Sequence, residues 1–207
     1  MQKIKTQERK AKEKENLKAL ILEGARRLFI EKGIEQTTIR NIADEIHYSI
    51  GTVYVYYKDK NEILHALHSQ GFLQLGNEMR VLFNVSDPME RLKAMGRVYM
   101  KFAMENQDMY DLMFNLKAPM ECLDDTEDEQ WDEGRATFNL LMSTVTECIK
   151  HGHFMGNDPE ALAFLIWSTV HGMCSLFIRN RIQHVEFSEP DQIVENAYET
   201  FIKILDS

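Results

Sequence analysis

Hydroxyls and cations are the side chains that hydrogen-bond phosphate, and one segment concentrates them: Thr52, Tyr54, Tyr56, Lys58 and Lys60 follow closely on Ser49 and Gly51. On one short helix and its exit, such groups hold a polyanionic backbone in place without specifying sequence. A glycine at position 51 removes a side chain where a helix backbone and base edges would come closest. Other chemistries have weaker footing. His151-Gly152-His153 reads as a helix end followed by a turn, where imidazole suits the negative end of the helix dipole, more readily than as a metal-ligand pair. Glu121, Asp124, Asp125, Glu127, Asp128 and Glu129 lack the glycine turn and spacing of a calcium loop and read as a solvated charge run. Cys122, Cys148 and Cys174 are odd in number, far apart and without a CxxC pair, so neither a disulfide framework nor a structural zinc site is indicated. There is no phosphate-cradling glycine loop, nucleophile elbow, or Cys/His or Ser/His constellation. The expectation is no catalytic residue, no metal, no cofactor and no enzymatic activity.

Charge places any nucleic-acid contact at one end. The net charge of -9 should repel a phosphate backbone, yet 13 Lys+Arg face 9 Asp+Glu up to Lys60, whereas 11 face 24 beyond it. With 44% apolar residues in 207, the chain can fill a real core. No apolar stretch approaches the roughly 20 residues of a membrane span, and the start MQKIKTQERKAKEKE has no apolar signal-peptide centre, which predicts a cytoplasmic protein with no membrane partner.

The elements that must position these groups are helices, because four prolines and ten glycines leave few breaks and strictly alternating β-type runs are missing. After a basic, frayed start, Leu17, Leu20, Ile21, Ala25 and Leu28 form one stripe of a helix from Asn16 that stops at Gly33. A short helix follows Thr37 with Ile39, Ile42, Ala43 and Ile46 inward; a turn at His47 and Tyr48 leads to a third, from Ile50 to Tyr56, capped by Ser49. Asp59 caps a fourth helix with Glu62 completing a capping box, and Ile63, Leu64, Leu67 and Leu75 run inward. Asp87-Pro88, Asp158-Pro159 and Ser188-Glu189-Pro190 open further helices; a short one lies at Gln107 to Leu116 and a long one at Glu129 to His151. The fold class is all-α, with about nine helices.

The segment from Ala25 to Lys60 is physically a helix-turn-helix whose second helix fits a major groove. It resembles the TetR family: Ala25, Leu28-Phe29, Gly33, Thr37-Thr38, Ile42-Ala43, Ser49, Gly51-Thr52, Tyr54, Tyr56, Tyr57, Lys60 and Leu64 fall at that family's spacings. The resemblance implies that Thr38, Thr52, Tyr56 and Lys60 touch phosphate and that Arg40, Ile50 and Tyr54 face base edges. Two departures stand out. His47 occupies the usual turn glycine, so it must take a left-handed or distorted conformation, and Ile50 replaces a common polar residue, favouring contact with a thymine methyl. Tyr57 and Tyr54 also have readings as core aromatics, Arg40 as a solvated charge, and the basic start as a soluble tail or a minor-groove arm.

Beyond Lys60 the resemblance rests on architecture and on WSTVHGMCSLF, Trp167 to Phe177, since similar Trp-xxx-His-Gly phrases recur in regulatory domains of one TetR subgroup. The helix from Pro159 to Arg181 is apolar almost all round and needs a second buried surface. The last two helices are therefore expected to pair with their symmetry mates through Leu162, Ile166, Val170, Met173, Phe177, Val194, Tyr198 and Phe201. Phe102, Met109, Tyr110, Met113, Phe114, Met120, Trp131, Phe138, Met142 and Trp167 read individually as core; the resemblance turns them collectively toward a ligand cavity. His171 is either its polar handle or a satisfied core histidine. The resemblance implies three regions: a basic flexible arm at 1–15, a DNA-binding domain at 16–60, and a ligand-binding and dimerisation domain at 61–207. It further implies a homodimeric repressor that binds palindromic double-stranded operator DNA and is released by a small apolar effector. A regulator without a small-molecule ligand, an activator, and an all-α enzyme stay open as alternatives.

Overall fold

The structure, a computed structural model, describes residues 2–115 and 132–206, with side chains from Gln7 onward. Among the described residues are nine α-helices and no strand. Met120, Trp131, Cys122, the acidic run and the expected helix start at Glu129 lie outside them. The chain forms two compact units, the first running to Gln70 and the second made of 71–114 and the described residues from Asp132. The division falls inside a helix, not at Lys60.

In the first unit α1 spans Gln2–Lys32, α2 Ile39–Glu45 and α3 Ile50–Tyr54, and α4 begins at Lys60 and ends at Arg80 in the second unit. The basic start is not a frayed arm but the first half of α1, where charges at helical spacing, such as Arg9 and Glu13 at 3.4 Å, suit the helix in place of apolar packing. The helix ends as expected at Gly33, whose φ of 82° and N–H bond to Phe29 C=O make a left-handed stop. Of the expected stripe, Ile21, Ala25 and Leu28 are buried, while Leu20 is exposed. Ile39, Ile42 and Ala43 of α2 and Ile46 at its C-cap all face inward with Val53 of α3. Each large aliphatic among them contributes about 1.5–3 kcal/mol by leaving water. Gly24 permits that closeness, since a Cβ there would lie 2.5 Å from Ile46 Cγ2.

The second unit adds α5 Pro88–Glu105, α6 Gln107–Phe114, α7 Asp132–Lys150, α8 Pro159–Ile178 and α9 Ile193–Leu205. Asp87 and Asp158 cap α5 and α8 ahead of proline, as the sequence predicts. The last helix starts at Ile193, not at Pro190, because residues 190–192 form a turn and Gln192 offers no side-chain cap. α5 packs on α6, α7 and α8, and α8 also on α7 and α9. Their core includes Met89, Leu92, Val145, Cys148, Leu162, Ala163 and Ile166. Tyr198 of α9 donates to Lys93 C=O at 2.6 Å, its ring seated where Gly96 has no side chain.

One expectation is overturned. α8 is 20 residues long with a mean hydropathy of 1.7, enough in length and composition to cross a membrane, and only 28% of that stretch is buried.

Gly24→Ala is expected to destabilise the protein by about 1–3 kcal/mol through overpacking against Ile46, read as a lowered thermal midpoint.

Candidate nucleic-acid interface and apolar cavity

Two N-caps and a turn aim α3. Thr38 accepts from Asn41 N–H at 3.2 Å while Asn41 Oδ1 accepts from Thr38 N–H at 3.0 Å, closing a capping box at the start of α2. At the other end of α2, His47 has a φ of 58°, the left-handed conformation expected in place of glycine. Its N–H bonds Asp44 C=O and the Tyr48 N–H bonds Ala43 C=O, the paired closure of a Schellman turn, which carries the strained residue. Ser49 Oγ then accepts from Thr52 N–H at 3.0 Å and lies 2.8 Å from Thr52 Oγ1. α3 ends at Tyr54, shorter than the expected Tyr56, though Tyr56 and Tyr57 N–H groups still bond Val53 C=O.

This geometry divides α3 into two faces. Val53 and Tyr57 are buried, and burial pushes the Tyr57 phenol up to about 12. Tyr54 is 52% exposed and sits one turn from the half-buried Ile50, with exposed Gly51 beside them. A Cβ at Gly51 would meet nothing nearer than Ser49 Oγ at 3.7 Å, so the fold itself does not demand glycine there. Arg40, Thr38, Ser49 and Lys58 are exposed, and Thr52 and Tyr56 half-buried. Lys60 differs from expectation in one respect: its Nζ donates to Ile34 C=O at 2.8 Å, tying the start of α4 to the loop before α2. Glu62 accepts from Lys58 N–H, one residue earlier than a capping box with Asp59 requires, while Asp59 accepts from Glu62 N–H at 2.9 Å.

The second unit holds a narrow, partly open apolar cavity of about 60 Å³. α4 contributes Phe72, Leu75 and Met79; α5 Leu92, Met95, Gly96 and Tyr99; α6 Phe114; α7 Gly134, Thr137, Phe138 and Leu141; α8 Ile166, Trp167 and Val170. Among the described residues no ionisable group except the Tyr99 phenol lines it. Thr137 Oγ1 is already bonded to Glu133 C=O at 2.8 Å and Phe72 C=O at 3.2 Å.

Of the residues expected around a ligand, Phe114, Phe138 and Trp167 line this cavity. Phe102, Met109, Met113 and Met142 do not line the cavity: the first three are buried elsewhere, with Met109 and Met113 filling the space over Gly71, and Met142 packs against the core. Ile166 and Val170, expected at the subunit contact, line the cavity instead. Leu162 and Tyr198 are likewise buried within one chain, so these four cannot form an outer face; Met173, Val194 and Phe201 are half-buried and Phe177 exposed. On a helix apolar all round, the sequence does not reveal which apolar side points outward. The residues that do point outward are Phe164 and Leu165, both 59% exposed, with Leu176 and Phe177, and Ile204 on α9.

Behind the cavity wall lies a neutral polar cluster. Trp167 Nε1–H donates to Tyr99 Oη at 3.2 Å, and His171 Nδ1 lies 3.0 Å from Tyr99 Oη and 2.6 Å from Tyr110 Oη. Tyr110 and His171 rings are stacked at 5.4 Å between centroids. Desolvation raises both phenols and lowers His171, so all three groups are neutral at physiological pH. A neutral imidazole with its proton on Nε2 accepts a phenol proton at Nδ1. His171 is thus a half-buried, hydrogen-bonded histidine behind the wall, in contact with the cavity-lining Tyr99, Phe114 and Trp167. Sequence reasoning missed Tyr99 because a lone tyrosine on an amphipathic helix carries no distinguishing pattern.

Residues 21–67 match the family model described as bacterial regulatory proteins, tetR family, and residues 92–201 match that of the tetracyclin repressor-like C-terminal domain. No curated protein matches the sequence. Among solved structures, a putative TetR-family transcriptional regulator from Syntrophomonas wolfei is 22% identical, with 94% of this chain and 95% of that one covered at a TM-score of 0.72. The fatty acid degradation regulator FadR from Bacillus halodurans is 17% identical over 89% and 94%, with a TM-score of 0.72. The transcriptional regulator FadR from Bacillus subtilis, in complex with stearoyl-CoA, is 18% identical over 89% and 97%, with a TM-score of 0.70. At these identities the likeness is one of fold.

Because burial keeps His171 neutral in the folded chain while the unfolded chain protonates near the ordinary value of 6.5, its contribution to stability is present above that pH and lost below it. His171→Gln is expected to show a shallower loss of thermal midpoint than the parent between neutral and mildly acidic pH.

Proposed function

From the premise that the chain belongs to the TetR family of bacterial regulatory proteins and is a DNA-binding transcription regulator, we propose that it is a homodimeric repressor of palindromic operator DNA, released by an apolar effector. The observation that carries this is α3: its inner residues are committed to the core, its caps are complete, and its outer residues, Ile50, Gly51 and Tyr54, have no internal task. Arg40, Ile50 and Tyr54 face base edges; Thr38, Ser49, Thr52, Tyr56, Lys58 and Lys60 position the backbone, Lys60 with the donors left beyond Ile34.

The outward apolar face of α8 and α9, centred on Phe164, Leu165, Leu176 and Ile204, supports an isologous subunit contact. Such a contact gives the unburied apolar surface of α8 its second partner and sets the spacing of the two α3 helices. The effector is uncharged where it meets the described wall of the cavity, because no cation or carboxylate among the described residues lines it to compensate a buried charge. The stearoyl-CoA bound by the similarly folded Bacillus subtilis regulator supports an acyl chain as the class, with any charged head group left outside. α4 belongs to both units and supplies Phe72, Leu75 and Met79 to the cavity, so a ligand that displaces those side chains acts on the same helix that follows α3. Coupling of about 1–3 kcal/mol changes operator occupancy by one or two orders of magnitude, and operator weakens effector by the same factor.

Gel shift with the intergenic DNA upstream of the gene, titrated with fatty acids and acyl-CoA esters, tests the whole proposal. The parent is expected to bind and to be released; Leu141→Trp, which fills the cavity, is expected to bind but not respond, and Tyr54→Ala to lose about tenfold in specificity. A parent that ignores every duplex refutes the DNA assignment, and an effector response unaltered by Leu141→Trp refutes the cavity. In sedimentation, the parent is expected to be a dimer at micromolar concentration and Leu165→Glu a monomer.

A further inference from the structure

A groove in the first unit lies apart from the outer face of α3. The first half of α1 forms one wall with Lys10, Lys14 and Leu17, and the turn and exit of α3 form the other with Tyr48, Val55 and Tyr56. Helical spacing explains why those lysines stand there. Lys10 precedes Leu17, and Lys14 precedes Ile21, by two helical turns, so all four share one stripe. Ile21 is fully buried and Leu17 half-buried, whereas Lys14 and Lys10 are exposed. The stripe that packs the helix-turn-helix therefore turns cationic where α1 runs past the core. Glu13 also borders the groove but is paired with Arg9 at 3.4 Å, and neither Lys10 nor Lys14 has an ion-pair partner among the described residues. Val55, 76% exposed, and the phenol of Tyr56 complete a surface with an apolar floor, hydroxyls and two uncompensated cations.

We propose that this groove is a second contact to duplex DNA, in which Lys10 and Lys14 of the α1 extension bind backbone phosphates flanking the base pairs read by α3. It rests on the DNA-binding assignment above. The occupant follows from charge complementarity: in a chain of net charge -9, two unpaired lysines on the stripe beside the exit of α3 suit a polyanion and contribute nothing to the internal packing. Because α1 is a continuous helix from Gln2 to Lys32 anchored by Ile21 and Ala25, it holds the lysines in place before binding, which reduces the ordering cost that a disordered arm would carry. Phosphate contacts are independent of base sequence, so the extension raises affinity without changing which operator is chosen.

The test uses the full-length protein and a random-sequence duplex, with affinity measured across a salt series. Lys10→Ala/Lys14→Ala is expected to reduce the slope of log affinity against log salt by about 3.6 for the homodimer, at about 0.9 for each of the two lysines in both subunits, and to weaken binding by more than about tenfold at moderate salt. Lys10→Arg/Lys14→Arg is expected to retain the slope. Lys12→Ala/Lys101→Ala removes the same charge from the far side of α1 and from α5, and is expected to leave the slope unchanged. A parent that binds while the Lys10/Lys14 variant keeps its slope overturns this proposal alone, as does an equal loss in the Lys12/Lys101 control. A parent that binds no duplex overturns the DNA assignment and this proposal with it.

Discussion

Helices of seven and five residues have almost no stability of their own in water, because nucleation costs more than one or two turns of hydrogen bonds return. α2 and α3 therefore exist only as far as their inner residues are buried, and Ile42, Ala43 and Val53 are completely so. Every functional property of the first unit depends on that burial. It leaves the outer residues of α3 with no packing task, and it fixes the angle between α2 and α3 through a turn whose pivot, His47, is held left-handed by two backbone bonds. A side chain that needs φ > 0 costs on the order of 1 kcal/mol, offset here by the closure around it.

The second unit meets the opposite requirement. Its interior retains a partly open slot, lined with soft or aromatic side chains from five helices instead of one wall. Polar groups nearby are paired with one another: Trp167 donates to Tyr99, and both phenols lie within hydrogen-bond reach of His171 Nδ1. The consequence is a cavity wall that carries no charge among the described residues, while the one buried cation of this unit among them, Arg91, is paired with Glu147 at 3.0 Å.

α8 links packing to assembly. One side, with Leu162, Ile166, Val170 and Cys174, is core or cavity wall; the other, with Phe164, Leu165 and Leu176, remains in water. A helix of this composition leaves an apolar outer side exposed, the kind of surface that marks a site of contact with a partner.

The local signals were legible in the sequence because they depend on residues a few positions apart. Asp87-Pro88, Asp158-Pro159, Ser49 and Gly33 each mark an element end through bonds closed within one turn, and the inner face of α2 follows from its 3.6-residue period. The left-handed His47 was likewise foreseeable, since a tight turn in that register leaves no other conformation. Pairing over distance was not. The assignment of Ile166 and Val170 to the cavity, the seating of Tyr198 against Gly96, the Tyr99–His171 cluster and the anchoring of Lys60 on Ile34 join residues far apart in the chain, and no periodicity encodes which partner an apolar or hydroxyl side chain will meet. By itself the sequence determined the helices, their caps and the helix-turn-helix, because local geometry sets those; only the tertiary structure decided which face of each helix became core, cavity or outer surface, because burial is a property of the packed whole.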